Sequence, residues 1–259
     1  MKMLAWIDGR VVEASELRFD VPFILQRIHT LEGRPYNVGR HLEVVNRESE
    51  LLFGFATLCT KADAEDIISE LLHKSHAPLM FSCPVEMRLT CRGELAFIIG
   101  KPTFGHGAYL RSVRYPVVPL LHAEPTTMAE TSATMAEDAM SDMQVAMFGG
   151  NRALWIDANQ CVISRPWLPV FMVYRGKVYT PAKFDTVEYL VACEAIRATR
   201  LELIEADIPK ESLVAMDEIF FVDVMGITAM SNIGHHRLLY TTASRVAERM
   251  MPKSVKSEE

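Results

Sequence analysis

The 259-residue sequence has few cysteines, and none of them form the close pairs that zinc and iron–sulfur sites use. The five cysteines make an odd number, with no CxxC spacing. We therefore expect no metal site and five reduced thiols, most of them buried. The cysteines are Cys59, Cys83, Cys91, Cys161 and Cys193.

Long apolar runs and an excess of basic residues are also missing. No apolar stretch approaches the roughly 20 residues that cross a bilayer. The start, Met1–Trp6, enters an Asp8-Gly9 turn without the apolar core of a signal peptide. The net charge is −6, and lysine and arginine are scattered, which argues against nucleic acids and anionic membranes as partners. We expect a cytoplasmic protein.

Catalytic and nucleotide-binding signatures are absent as well. There is no G-x-S-x-G, no P-loop and no G-x-G-x-x-G, so triad hydrolysis and nucleotide binding have no support in the sequence. No lysine occurs between Lys101 and Lys177. The middle of the chain therefore offers no lysine amine.

The apolar periodicity that is present predicts a mixed α and β protein. Hairpins and two helical segments fill the first 110 residues, and strands with further helices fill the second half. Pro116, Pro119 and Pro125 predict an extended connector. We therefore assign an N-terminal α+β domain to residues 1–112, a connector to 113–127 and a C-terminal domain to 128–259.

A methionine-rich segment opens the second half of the chain. Met140, Met143 and Met147 follow each other at helical spacing. Apolar stripes of this kind usually pack into a core. We expect these methionines to be buried and give them no role in chemistry.

Several segments, in order, resemble the class IV pyridoxal-phosphate aminotransferases, the family of aminodeoxychorismate lyase and the branched-chain aminotransferases. The matching segments are Trp6-Ile7-Asp8-Gly9, Gly33-Arg34-Pro35-Tyr36 with His41-Leu42, Ala153-Leu154-Trp155-Ile156-Asp157, Phe171 to Pro181, and Asp217-Glu218-Ile219-Phe220. The resemblance implies a two-domain α+β fold, with a smaller N-terminal α+β domain and a larger β-rich C-terminal domain with helices. It also implies a homodimer and a cofactor between the domains.

The cofactor positions implied by this resemblance hold other residues. A lysine would form the aldimine, cations or amides would hold the phosphate, and a carboxylate would keep the pyridine nitrogen protonated. The corresponding positions are occupied by Thr131 (lysine), Val44 (phosphate arginine), Ser164 (glutamate), Val187 and Glu188 (phosphate turn) and Val224 (second phosphate hydroxyl). An uncompensated phosphate is costly to bury, so the resemblance with these replacements predicts that the cofactor is lost.

Three functions stay open at this point, and the sequence does not decide whether the protein is an enzyme. The first is a non-catalytic protein that binds a small carboxylic acid or a protein partner. The second is an enzyme that reuses the site, without pyridoxal phosphate, for a small amino, keto or aromatic carboxylic acid. The third is a pyridoxal-phosphate enzyme with displaced ligands.

An enzyme would need reactive side chains near the former cofactor site. Lys183 could act as a nucleophile or anion anchor, although a solvated loop lysine is the alternative. Asp185 and Glu188 could act as a general base, or could simply favour the first turn of a helix. The remaining pocket candidates are Arg47, Arg165, Trp167 and Met230. Arg165 could equally form an ordinary ion pair.

Overall fold

The computed structural model describes residues 1–102, 104–105 and 109–250, which form two compact units. The first unit comprises the described residues of 1–106 together with 127–134. The second comprises the described residues of 107–126 and of 135–259, which are 109–126 and 135–250. Segment 127–134 therefore belongs to the first unit, whereas the sequence-based assignment divides it at residue 128.

The described residues form eighteen strands and five α-helices. Up to residue 105 the strands are β1 Leu4–Ile7, β2 Arg10–Glu13, β3 Phe23–Ile28, β4 Thr30–Leu31, β5 Arg34–Pro35, β6 Phe81–Ser82, β7 Val85–Thr90, β8 Leu95–Ile99 and β9 Phe104–Gly105. They are followed by β10 Tyr115–Leu121, β11 Glu130–Thr131, β12 Arg152–Ile156, β13 Val170–Tyr174, β14 Lys177–Thr180, β15 Leu203–Glu205, β16 Glu218–Asp223, β17 Gly226–Ile233 and β18 His236–Arg237. The α-helices are α1 Val38–Phe53, α2 Lys61–Lys74, α3 Ser132–Ala146, α4 Val187–Ala198 and α5 Thr241–Ala247, and short 3-10 helices cover Ala14–Glu16 and Lys210–Ala215. The predicted mixed α and β class is confirmed.

The first unit is an antiparallel sheet covered by α1 and α2. Its strand order is β11-β3-β7-β8-β1-β2. Strands β3 and β7 pair over six residues, with Ile24 opposite Leu89. Helix α2 begins with a capping box, because Thr60 Oγ accepts from the Asp63 amide at 3.2 Å and Asp63 accepts from the Thr60 amide at 3.0 Å. The apolar sides of both helices pack with the sheet in one core.

The second unit is built on a mixed sheet. Its strand order is β12-β10-β17-β16-β13-β14-β15, and β18 adds to β17. Strand β10 is parallel to both of its neighbours, β12 and β17. Helices α4 and α5 cover apolar residues of β13, β16 and β17, including the stacked rings of Phe171 and Phe220.

The predicted connector is wrong in its main part, because Tyr115–Leu121 forms strand β10 inside the second unit's sheet. Proline has no amide hydrogen and is normally excluded from central strands. Here Pro116 lies where β10 pairs with β17, and Pro119 lies where it pairs with β12. Each proline therefore lies at a position where β10 pairs with a strand on one side only. This one-sided pairing explains how β10 tolerates both prolines.

The prediction that the methionines of α3 are buried is also wrong. Met140, Met143 and Met147 are 69%, 73% and 83% exposed. The opposite side of the helix packs inward through Ser141 and Val145. Helical spacing identifies a stripe of apolar residues but not whether the stripe faces the core or the solvent. In α3 the inward side also carries acidic residues with partners of opposite charge.

Other predictions from composition can be compared with the described residues. No helix among them is long and apolar enough to cross a membrane. In the same part of the chain, no group of three histidine, cysteine or acidic side chains is arranged to hold a metal ion. All five thiols are free, but only Cys83 and Cys193 are buried, so the expectation that most are buried is wrong.

Candidate functional site

A buried arginine organises the loop between β12 and β13. The side chain of Arg165 is 2% exposed. Its Nη1 donates to Oδ1 of Asp138 on α3, and its Nη2 donates to the carbonyl of Ala153 at 3.3 Å. Trp167 Nε1 donates to the other carboxylate oxygen of Asp138 at 2.9 Å. Both oxygens of this carboxylate are therefore engaged, and the buried positive charge is compensated.

Aromatic rings complete the surroundings of the same guanidinium. Arg165 Cζ lies 4.7 Å from the ring centroid of Trp155 and 5.5 Å from that of Phe221. The imidazole of His122 stacks on Trp155 with the centroids 3.6 Å apart and the planes 6° from parallel. Ring faces attract a cation electrostatically and exclude water from it. We call Asp138, Trp155, Arg165 and Trp167 the arginine centre.

The loop of the arginine centre is also tied to neighbouring elements. Ser164 Oγ accepts from the Val170 amide at 3.1 Å, and Thr186 Oγ donates to the Pro166 carbonyl at 2.8 Å. Thr186 precedes α4 as its N-cap residue but makes no side-chain cap. Its hydroxyl therefore fixes the loop instead of the helix end. Ser164 likewise fills a structural role at the position where the resemblance places a glutamate.

Three predicted reactive residues lie around the start of α4. Lys183 is 69% exposed, and its Nζ pairs with Glu205 of β15 at 2.5 Å. Asp185 is exposed. Glu188 and Val187 are buried in the first turn of α4, where the helix dipole favours a carboxylate. The lysine ammonium is thus directed to an acid on a strand at the sheet edge and not to a buried site.

The remaining candidates of the second unit are apolar and buried. Val224 lies in the turn between β16 and β17, where Asp223 Oδ1 accepts from the Met225 amide at 2.8 Å. Met230 lies within β17 and is fully buried in a core with Val117 and Leu154. Neither side chain can donate to an anion.

The candidates of the first unit also occupy structural positions. Val44 is buried in the core between α1 and the sheet. Arg47 is about half exposed, and its Nε lies 3.5 Å from Glu48 Oε1. Thr131 Oγ accepts from the Thr134 amide at 3.2 Å, so it caps the start of α3.

Lysine has a uniform environment in the described residues. Every lysine side chain described by the structure is exposed to solvent. These lysines are Lys2, Lys61, Lys74, Lys101, Lys177, Lys183 and Lys210. Four of them form ion pairs with nearby glutamates, at 3.7 Å for Lys61, 2.5 Å for Lys74, 2.8 Å for Lys177 and 2.5 Å for Lys183.

Two histidines of the first unit are buried and hydrogen-bonded. His41 Nδ1 lies 2.8 Å from Gln26 Oε1, and His29 Nδ1 lies 2.8 Å from Ser82 Oγ. Burial lowers the pKa of His29 to about 4. Burial, with a further contribution from His29, lowers the pKa of His41 to about 3. Both rings are therefore neutral at pH 7.

Sequence reasoning missed Asp138, His122 and Trp155 as members of a polar centre. One signal was available, since Asp138 and Asp142 are four residues apart and must share a face of a helix. Asp142 accepts from Arg152 Nη1 at 2.9 Å and from the Ala153 amide at 3.0 Å. Two acids on one face of the helix could have indicated that this face binds cations.

Comparisons with known proteins connect the chain to one fold. No family model matches it, and no curated protein matches its sequence. A branched-chain aminotransferase from the thermophilic archaeon Thermoproteus uzoniensis, solved with norvaline, superimposes with a TM-score of 0.77 at 18% identity, over 96% of this chain and 94% of that one. An aminotransferase from Brucella abortus, bound to pyridoxal phosphate, gives 0.81 at 17% identity, over 96% and 98%. The branched-chain amino acid aminotransferase of Escherichia coli gives 0.75 at 13% identity, over 95% and 92%.

The chain has the class IV aminotransferase fold. The predicted fold is thereby confirmed. Identities of 13% to 18% establish the architecture alone, so the activity has to be inferred from the residues of the site.

Proposed function

We propose that this chain keeps the aminotransferase fold without pyridoxal phosphate as its cofactor, and that it acts as a non-catalytic binding protein for a small carboxylic acid or a protein partner. The observation that carries the proposal is the exposure of every lysine in the described residues. The cofactor's aldehyde requires an amine that is held in a site from which water is excluded. A solvated lysine whose ammonium is paired with a glutamate, such as Lys183, is a poor nucleophile.

The phosphate of the cofactor also lacks suitable partners at the positions that the resemblance indicates. Val44 and Val224 are buried and offer no donor, and Glu188 brings a carboxylate to the first turn of α4. The guanidinium of Arg165 is already neutralised by Asp138. Placing a dianion beside Glu188 and Val224, both in the second unit, would leave a buried charge without compensation, at a cost of several kcal/mol.

The direct test is spectroscopic. The purified protein is scanned between about 300 and 500 nm with and without added pyridoxal phosphate, because a lysine aldimine of this cofactor absorbs near 400–430 nm. The protein as purified, to which no cofactor has been added, is also reduced with borohydride, and intact-mass measurement then detects a covalent adduct. Omitting free cofactor from this step avoids non-specific labelling of exposed lysines. We expect no band and no adduct, whereas the E. coli branched-chain aminotransferase serves as the positive control.

A single restored lysine makes the test sharper. The variant Thr131→Lys returns an amine to the position implied by the resemblance but leaves Val44 and Val224 unchanged. We expect this variant to form no stable adduct, because the phosphate ligands are still missing. A reduced adduct on the wild-type chain, at any lysine, would overturn the proposal.

The same protein allows the alternative functions to be tested. A rise in melting temperature with amino, keto or aromatic carboxylic acids would support small-molecule binding. Turnover of such a compound without the cofactor would instead support an enzyme that reuses the site. We also propose a cytoplasmic location, since all five thiols are free, as is usual in a reducing compartment.

A further inference from the structure

Three thioether side chains line the outward side of α3. Met140, Met143 and Met147 are 69%, 73% and 83% exposed. We call these three residues the methionine stripe. We propose that the methionine stripe binds one soft monovalent metal ion, copper(I), through its thioether sulfurs. This inference does not depend on the proposed function.

The spacing of the stripe brings its sulfurs within reach of one ion. Met140 and Met143 are three residues apart, and Met143 and Met147 are four apart. Residues at these separations are neighbours on a helix surface, with about 5–6 Å between their Cβ atoms. Met147 continues the last turn of α3, because its amide donates to the Gln144 carbonyl at 3.2 Å. A methionine side chain has three rotatable bonds, so the three sulfurs can converge on an ion above Met143.

The type of ligand selects the metal. A thioether sulfur is neutral and polarisable, and such a soft donor suits copper(I). Magnesium and calcium prefer oxygen ligands, and zinc is bound by thiolate, imidazole or carboxylate groups. The cysteine spacing argues against zinc and iron–sulfur sites in this chain, but it does not bear on thioether ligands.

The charges of α3 favour a cation at the stripe. The helix carries no lysine or arginine, whereas it contains Glu137, Asp138 and Asp142. Arg165 and Arg152 are on the inward side, where Asp138 and Asp142 neutralise them. The stripe also extends to the C-terminal end of α3, where the helix dipole favours positive charge. A bound copper(I) ion therefore meets no like charge on its own helix.

The inward side of α3 holds the stripe in place without help from the methionines. Asp142 accepts from Arg152 Nη1 at 2.9 Å and from the Ala153 amide at 3.0 Å. Val145 is fully buried on the same side. Because the helix is fixed by its other face, the methionine side chains can turn towards an ion, and can be substituted, without unfolding α3.

The experiment follows each thioether separately by nuclear magnetic resonance. The full chain is labelled with ¹³C in its methionine methyl groups and titrated with silver nitrate in a chloride-free buffer, because silver(I) is a redox-inert analogue of copper(I). Accessible thiols are first blocked with N-ethylmaleimide, since thiolates also bind soft ions. We expect the methyl signals of the stripe to shift together and to saturate at one silver ion per chain. The signals of Met87, Met172 and Met230, which are fully buried, should not move.

Met80 is the matched control, because it is a methionine outside α3 with the same 73% exposure as Met143. The Met80 signal should need at least about tenfold more silver than the stripe, because even a hydrogen-bond partner of a metal ligand contributes about 10–100-fold in affinity. The variant Met143→Leu keeps the apolar volume but removes the central sulfur. By the same reasoning it should raise the silver concentration needed to shift Met140 and Met147 at least about tenfold.

Several results would overturn the proposal. They are stripe signals that stay in place or move only together with Met80, an unchanged silver affinity in Met143→Leu, and an equal response of the stripe to zinc acetate. Copper(I) added in the absence of oxygen should reproduce the pattern seen with silver, and a failure to do so would overturn the assignment to copper. A cofactor adduct would contradict the proposed function but would not affect any of these results.

Discussion

The two buried histidines of the first unit should make its stability depend on pH. His29 and His41 have folded-state pKa values lowered to about 4 and about 3, against 6.5 for an ordinary histidine. Below pH 6.5 the unfolded chain binds protons that the folded chain does not, so folding stability falls as the pH decreases towards the folded values. The contribution of the two neutral histidines to folding stability is fully present above pH 6.5.

The size of the effect follows from these values. Between pH 7.5 and pH 5.0 each histidine should lower the free energy of unfolding by about 2 kcal/mol, and the pair by about 4 kcal/mol. The variant His41→Asn should lose about half of this pH dependence, even if its stability at pH 7.5 is lower. His73→Asn, at an exposed position of α2, should leave the dependence unchanged.

The assay must report on the first unit alone. Hydrogen exchange of peptides from β3 and β7, measured at both pH values under increasing urea and corrected for intrinsic exchange rates, gives the local free energy of opening. Nuclear magnetic resonance titration of the imidazole protons of the wild type gives the pKa values directly. A midpoint above pH 6 for both rings, or equal stability at pH 7.5 and pH 5.0, would refute the reasoning.

Three further substitutions test other parts of the structure. Asp138→Ala leaves the Arg165 guanidinium buried without its partner and should lower the unfolding free energy by about 3–5 kcal/mol, seen as a lower urea midpoint; a loss below 1 kcal/mol would contradict a buried ion pair. Thr60→Ala removes a helix cap and should cost about 1 kcal/mol in the same assay, whereas no change would mean the cap contributes nothing. Gly226→Ala should prevent folding or lower the melting temperature strongly, because a Cβ would lie 2.2 Å from the Tyr109 carbonyl oxygen at a φ of +131°; normal melting would refute this close approach.

Much of the fold could be predicted because local patterns carry it. The two helical segments predicted within the first 110 residues are observed as α1 Val38–Phe53 and α2 Lys61–Lys74, and the strands and further helices predicted for the second half are observed as well. Strand β10 could not be predicted, because its prolines are tolerated only through the staggered pairing with β12 and β17. The β12 partners begin with Arg152, 35 positions after Val117, and the β17 partners begin with Met230, 115 positions after Tyr115.

The candidate site was less accessible to prediction. The ion pair of Arg165 was one of two predicted alternatives, but its partner is 27 residues earlier in the chain. Identifying Asp138 requires knowing which side of α3 faces the sheet, and the methionines suggested the opposite side. The stacking of His122 on Trp155 depends on the parallel pairing of β10 with β12, which no local pattern indicates.

The position of β10 has a consequence for how the protein is made. Residues 115–117 leave the ribosome long before their partners in β17, Met230 to Ile233. During the intervening translation this side of the strand has no partner, and such edges join other chains readily. Nascent chains that stop short of residue 233 should therefore aggregate or recruit chaperones, and a pause in synthesis near that point would prolong the vulnerable period.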